Sequence, residues 1–192
     1  DRWRLLDRFL IGVDATGQLQ FHQRHCPHCL TRKLANGEVL YYHPVLEAKL
    51  LTSIGMVLSV ATEFIENPHP DVKKQDCELK AFYRLALKLK AAFPQLGIIL
   101  LLDSLYACQD VIQVCETSHW NYLITLKPKD LPAVYQEFQK LLTVAPHQRT
   151  HQRLDDGTLQ QFAWVGDLEH ESHRFHALEC VEHHPGSEPK RF

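Results

Sequence analysis

Two periodicities run through the chain. Phe9-Leu10-Ile11-Gly12-Val13 is a short apolar run that stops on Asp14 and predicts a buried strand delivering a carboxylate. Ala15-Thr16-Gly17-Gln18 predicts a turn, after which Leu19 and Phe21 resume a strand. Glu38 to Leu51 holds β-branched and aromatic residues behind Asn36-Gly37, a hairpin-turn signal. Met56 to Ile65 predicts a third strand, and Asn67-Pro68-His69-Pro70 breaks the pattern. The period then changes. Phe82, Leu85, Ala86, Leu89 and Phe93 follow helical spacing, which predicts a helix with Asp76 as its N-cap, running to about Ala92. Ile98 to Leu102 is apolar at every position, as in a strand buried on both faces, and again stops on an acid, Asp103. A short helix from Asp110, a strand over Tyr122–Leu126 and an amphipathic helix through Leu131–Leu142 follow, the last with Pro132 in its first turn. Strands over Phe162–Leu168 and Phe175–Val181, with a hairpin turn at Asp155-Asp156-Gly157, close the series.

The order is β-β-β-α-β-α-β-α and then β. Three strands in hairpins followed by strand–helix alternation imply an α/β protein with a mixed sheet, its later strands joined by right-handed crossovers. That order matches the ribonuclease-H-like fold, in which the first and fourth strands are neighbours. The expected organisation is a core over residues 1–145 and a small β-rich C-terminal insertion over 146–192.

Composition narrows the classes. With 192 residues, 45% hydrophobic and 23% charged, the chain has an ordinary globular mix, which excludes disordered and coiled-coil classes. The longest apolar run, Gly97 to Leu102, is far short of the roughly 20 residues a membrane span needs. The first residues lack a signal-peptide layout. Net charge is −2, so a basic surface for nucleic acid is either local or outside this chain. The first 145 residues carry 16 basic and 15 acidic side chains; the remaining 47 carry 5 and 8, and seven of the 13 histidines. The six cysteines are read as reduced, with Cys77, Cys108 and Cys115 as small core residues.

Two constellations carry chemistry. Asp14 and Asp103 each end an apolar run, 89 residues apart. On adjacent parallel strands they project at one sheet edge, where their mutual repulsion calls for a proton or a cation. Hard oxygen ligands suit Mg²⁺ or Mn²⁺. Two such ions, roughly 3.5–4 Å apart, activate a water or a 3′-hydroxyl and stabilise the leaving oxygen of a phosphodiester. The competing reading makes each aspartate a strand-end cap. Separately, His22, His25, Cys26, His28, Cys29 and His43 crowd one hairpin, and CxxC is half of a zinc knuckle. One structural-zinc set is Cys26, Cys29, His43 and either His25 or His22; reduced thiols in a polar loop are the alternative. Glu78, at the helix start, either supports the carboxylate site from behind or complements the helix dipole. Glu63 offers a weaker version of the same choice. Lys127 and Lys129 flank Pro128 and are candidates for phosphate contact or plain solvated lysines.

At these residues the chain resembles the DDE transposases of bacterial insertion sequences. The likeness lies in Val13-Asp14-Ala15-Thr16-Gly17, His25-Cys26-Pro27-His28-Cys29, Tyr42-His43 with Val45-Leu46, Glu63-Phe64-Ile65, Lys74 to Leu79, Leu102 to Ala107 and Leu126-Lys127-Pro128. It covers most of residues 9–145. The resemblance implies a transposase catalytic core that cuts and joins DNA with two metal ions, Asp14 and Asp103 being its first two acids. It also implies a third acid, a glutamate on a helix after the β-rich insertion. None of Glu169, Glu171, Glu179 and Glu182 has that helical context, so a fragment lacking the third acid and the N-terminal DNA-binding region is expected, inactive alone. The implied partners are transposon-end and target DNA and a second copy of the chain, with no membrane, in the bacterial cytoplasm. A ribonuclease-H-like nuclease without joining activity and a non-catalytic, zinc-stabilised DNA- or protein-binding module derived from a transposase are the competing functions.

Overall fold

A computed structural model describes residues 3–144 and 148–192. The fold is mixed α/β. Strands β1 (Phe9–Phe21), β2 (Leu30–Lys33), β3 (Val39–Leu51) and β4 (Val57–Phe64) precede helix α1 (Glu78–Ala92). Then come β5 (Ile98–Leu102), a 3₁₀ turn over Ser104–Tyr106, α2 (Gln109–Thr117) and β6 (Asn121–Ile124). The sheet order is β2-β3-β1-β5-β6, with β4 also pairing β3. β1 runs antiparallel to β3 and parallel to β5, and β5 runs parallel to β6. The first and fourth long strands are therefore neighbours, as the element order implied.

The helix period accounts for the core. Ala81, Phe82, Leu85, Ala86 and Leu89 form the buried stripe of α1. They pack with Ile11, Val13, Leu46, Ala48, Ile98, Leu100 and Leu102 from the sheet, and with Tyr106, Val111 and Trp120. Strand β5 buries Ile98, Leu100 and Leu102, while Ile99 and Leu101 are only half-buried. Its uniform apolar composition had implied deep burial on both faces.

Two compact units are distinguished, one ending at Ile124 and the other beginning at Thr125; the expected boundary at 145/146 lies outside the described residues. Helix α3 (Pro132–Val144) groups with the C-terminal strands, because Val134, Phe138 and Leu142 bury against Val165 and Leu168. Those strands are β7 (Arg149–Arg153), β8 (Leu159–His170), β9 (His173–His183) and β10 (Lys190–Arg191), an antiparallel sheet in the order β10-β9-β8-β7. Gly157 has φ +86° in the turn before β8, where Asp155-Asp156-Gly157 predicted a hairpin. Among the described residues, no helix is long and apolar enough to cross a membrane.

Two local expectations are corrected. Ala15 to Gln18 is not a turn: β1 is continuous, and a register shift between Gly17 and Leu19 takes up the irregularity. Pro44 lies opposite Gly17. It has no N–H for the ladder, so a bulge forms where sequence pattern suggested a reversal. Asp76 is not the N-cap of α1. Cys77 holds that position, exposed and without a side-chain cap, so it is not a core residue either.

Asp76 has other work. The Arg84 guanidinium donates to Asp76 Oδ2 at 2.7 Å, to Glu63 Oε1 at 2.6 Å and to the Phe64 carbonyl at 2.9 Å. Lys88 Nζ adds a contact of 2.5 Å to Glu63 Oε2. This network joins α1 to the end of β4. Burial pushes the Glu63 carboxyl up, but hydrogen bonds from Lys88 and Arg84 outweigh it and hold Glu63 below its usual 4.5. Burial opposes Arg84 in the same way at Asp76, which ends below its usual 3.8. Carboxyls with lowered folded pKa values add stability that is complete above those usual values and is lost as pH falls through the folded ones. Arg84→Met should therefore destabilise the protein at pH 7 by about 2–3 kcal/mol. That is less than the roughly 3–5 of a fully buried pair, because the Arg84 side chain is 40% exposed. Urea unfolding at several pH values checks this, with the gap between variant and parent closing below about pH 4.

Candidate functional site

Strand pairing brings the two predicted aspartates toward one another. β1 pairs with β5 through Phe9↔Ile98 to Gly12↔Leu101, an offset of 89 residues. Asp103 is still extended, with φ −79° and ψ −179°. Asp14 and Asp103 each lie two residues past the last pair of that register, so the same offset carried on would set them level. Asp14 lies within β1 and not at its end, and its side chain is exposed. Asp103 also fulfils the competing cap reading, since its Oδ1 accepts the Leu105 N–H at 2.8 Å.

Glu78 joins them. It opens α1, and its Oε1 accepts the Tyr106 hydroxyl at 2.6 Å. Tyr106 is fully buried three residues beyond the cap residue Asp103, so its ring is held in the core while its hydroxyl fixes the Glu78 carboxylate. Burial pushes the Glu78 carboxyl up; the tyrosine bond pulls it down; the negative charges of Asp103 and Asp14 push it up again, and it ends above its usual 4.5. Burial, Glu78 and the same two aspartates also push the Tyr106 hydroxyl well up. Glu78 thus feels the charge of both aspartates. Among the described residues, no ion pair reaches Asp14, Glu78 or Asp103, and the three do not converge within 4.8 Å. Sequence reasoning had weighed Glu78 as a supporting acid or a dipole partner. Its tyrosine contact joins residues 28 apart, and spacing along the chain carries no signal for it.

The Cys/His cluster resolves more tightly. His25 Nδ1 or Nε2, Cys26 Sγ, Cys29 Sγ and a ring nitrogen of His43 all lie within 4.8 Å of one another, a set that could hold a metal ion. Cys26 Sγ is 3.2 Å and Cys29 Sγ 3.4 Å from His43 Nε2, and Cys29 Sγ is 3.2 Å from His25 Nδ1. His22 is not part of it; it is exposed and faces Glu38 at 4.0 Å. Burial pushes the Cys29 thiol up, but hydrogen bonds at His25 and Cys26, with the charge of Arg24, leave it below its usual value. Burial, then the charge of His25, lowers His43. Both shifts favour the thiolate and neutral imidazole forms that ligate metals.

The other candidates are placed as follows. Glu63 belongs to the Arg84 network and has no part in the carboxylate group. Lys127 and Lys129 are exposed in the stretch between β6 and α3, where the Lys127 N–H donates to Asp130. No protein-family model matches the chain, and a search of curated proteins finds no match.

If the three carboxylates share one electrostatic environment, removing one charge must ease the others. Asp103→Asn should shift the Glu78 carboxyl titration of the metal-free protein downward, measured by carboxyl-carbon NMR. An unchanged Glu78 midpoint would separate Asp103 from this group.

Proposed function

We propose that the chain is the catalytic core of a DNA strand-cleaving and strand-joining enzyme of the DDE transposase type, on a ribonuclease-H-like sheet. One observation carries this. Asp14 and Asp103 each lie two residues beyond the last paired residues of the neighbouring parallel strands β1 and β5, and the charges of both reach Glu78. The adjacency of first and fourth strands is what the ribonuclease-H-like reading requires.

The donor set fits Mg²⁺ or Mn²⁺. All three groups offer hard oxygens, and Glu78 is raised first by burial and then by the charges of Asp103 and Asp14, the part that a cation would relieve. Asp14, Asp103 and Glu78 would hold it. When bound, the ion supplies Lewis-acid stabilisation of the phosphodiester oxygens and a more acidic water. The chain's own part is positional. The β1–β5 pairing fixes Asp14 and Asp103, the Leu105 N–H orients Asp103, and the Tyr106 hydroxyl orients Glu78. In the same proposal the Cys/His cluster takes a structural Zn²⁺, the partner is DNA, the working form is a homodimer, and the setting is the bacterial cytoplasm.

A nuclease without joining activity is the second reading. It is favoured by Glu78 itself, which supplies a third carboxylate inside the chain and removes the need for an acid beyond Phe192. Both readings expect Mg²⁺-dependent cleavage of a DNA oligonucleotide. Second-sphere changes at metal sites already cost about 10–100-fold, so Asp14→Asn, Asp103→Asn and Glu78→Gln should each lose about 100-fold or more, with unchanged circular dichroism. Joined products separate transposase from nuclease. A Glu78→Gln variant at full activity returns the third-acid role to a residue outside the chain. Full cleavage by Asp14→Asn or Asp103→Asn refutes the site, and DNA binding without cleavage in the unaltered chain points to the non-catalytic module.

A further inference from the structure

The Cys/His cluster has the dimensions of a filled coordination shell. Zn–S bonds of about 2.3 Å and Zn–N bonds of about 2.0–2.1 Å, arranged tetrahedrally, give an S···S edge of about 3.8 Å and S···N edges of about 3.6 Å. The Cys26 and Cys29 sulfurs are 3.7 Å apart. The S···N separations are 3.2, 3.2 and 3.4 Å. A disulfide would bring the sulfurs to about 2.05 Å. Two thiolates and two imidazoles converging on one point select Zn²⁺ over the harder divalent ions. The shell is also supported from outside. Cys26 Sγ accepts the His28 N–H at 3.3 Å, Phe21 stacks on His25 with centroids 4.0 Å apart, and Cys29 is fully buried.

What lies behind the cluster gives the ion a second consequence. Asn67 is only 3% exposed and is bonded on every side. Its Nδ2 donates to the Cys29 carbonyl at 3.0 Å, and its backbone N–H donates to the His28 carbonyl at 3.0 Å. Its own carbonyl meets His28 Nδ1 at 2.7 Å. Its Oδ1 accepts the Asp76 N–H at 3.0 Å. Next to it, Gln75 docks on β2 like an extra strand residue. Its Oε1 accepts the Thr31 N–H at 2.6 Å, and its Nε2 donates to the Thr31 carbonyl at 2.9 Å. Thr31 is two residues past the ligand Cys29, and Asp76 is two residues before Glu78. The metal loop and the start of α1 are thus joined by two amide side chains, while the Asp76 carboxylate is also held by the Glu66 N–H and by Arg84.

We propose that His25 Nδ1, Cys26 Sγ, Cys29 Sγ and His43 Nε2 hold one tetrahedral Zn²⁺, and that this ion, through Asn67 and Gln75, fixes the first turn of α1 and with it the Glu78 carboxylate. Asn67 and Gln75 are positioning residues in this scheme. They touch neither DNA nor the carboxylate group. The zinc assignment deepens the structural role proposed above, and only the consequence for Glu78 rests on the carboxylate reading.

The test uses the intact chain and needs no DNA. Metal analysis should find one zinc per chain. Replacing zinc with Co²⁺ should give the intense visible bands of a tetrahedral thiolate site. His43→Ala should lose those bands, and His22→Ala should keep them. Chelation of the zinc should speed amide hydrogen exchange at Thr31, Asn67 and Asp76 by at least 10-fold while core amides of α1 such as Leu85 stay protected. Asn67→Ala should keep one zinc per chain yet speed exchange at Asp76 and at Ala81, whose N–H closes the first turn of α1 on the Cys77 carbonyl. No zinc in a folded protein, iron in its place, or cobalt bands that survive His43→Ala overturns the site. Unchanged exchange at Asp76 in both the stripped protein and Asn67→Ala overturns the coupling. Neither outcome depends on whether the chain cleaves DNA, so failure of the enzyme reading is scored separately.

Discussion

The parallel pairing of β1 with β5 is the constraint on which the rest of the molecule depends. These strands are separated by β2, β3, β4 and α1, and no local turn could bring them together. Burial does: Ile11 and Val13 of β1 and Ile98, Leu100 and Leu102 of β5 share one core with the apolar stripe of α1. A one-residue slip would turn every one of these side chains to the opposite face, so the hydrophobic pattern fixes the register as well as the partnership. Asp14 and Asp103 lie at the end of that register. Their approach toward one another follows from the packing of aliphatic side chains several residues away.

The chain handles two groups of acids in opposite ways. Glu63 and Asp76 are drawn below their usual pKa values by Arg84 and Lys88, so their charge is neutralised inside the protein. Glu78 is pushed up by burial and by two neighbouring carboxylates, and the hydroxyl of Tyr106 is its hydrogen-bond partner. Both groups touch α1, whose bases Arg84 and Lys88 are spent on the first. A fold that needed only stability would gain by compensating both. Arg84 and Lys88 compensate the first set, while Glu78 keeps the charge of Asp103 and Asp14 in its surroundings.

Much of this was legible in sequence because it depends on period and on chain-local chemistry. The stripe of α1, the apolar run of β5, the Asn36-Gly37 turn with φ +86° at Gly37 and the strand-neighbour relation all follow from the pattern of apolar positions and the order of elements. What escaped has one cause, contact between residues remote in sequence. Asp76 carries the composition of an N-cap, but Arg84, eight residues on, claims its carboxylate. Gly17 carries the composition of a turn, but the proline across the ladder converts it to a bulge. Helix α3 reads as the last element of the core, yet its apolar face matches Val165 and Leu168 rather than the first sheet. His22 and His25 are equal candidates by spacing; only the path of the chain after β1 sends one to the thiols and the other to solvent.

The two candidate ion sites are of opposite chemical character, and that has a functional logic. Thiolate and imidazole hold zinc far more strongly than they hold magnesium, whereas exposed carboxylates bind magnesium weakly and rely on its abundance and on substrate phosphates to complete the shell. A carboxylate group alone, in a medium containing both ions, would also accept zinc, because affinity rises from manganese toward copper and zinc whatever the ligand. Zinc held in a dedicated, partly buried soft site would not compete for a carboxylate group elsewhere in the fold. The same separation explains why the two sets are bound into the structure so differently. The soft set is closed, with its sulfurs and ring nitrogens already at coordination spacing. Asp14, Glu78 and Asp103 do not converge in that way: their oxygens do not all lie within 4.8 Å of one another.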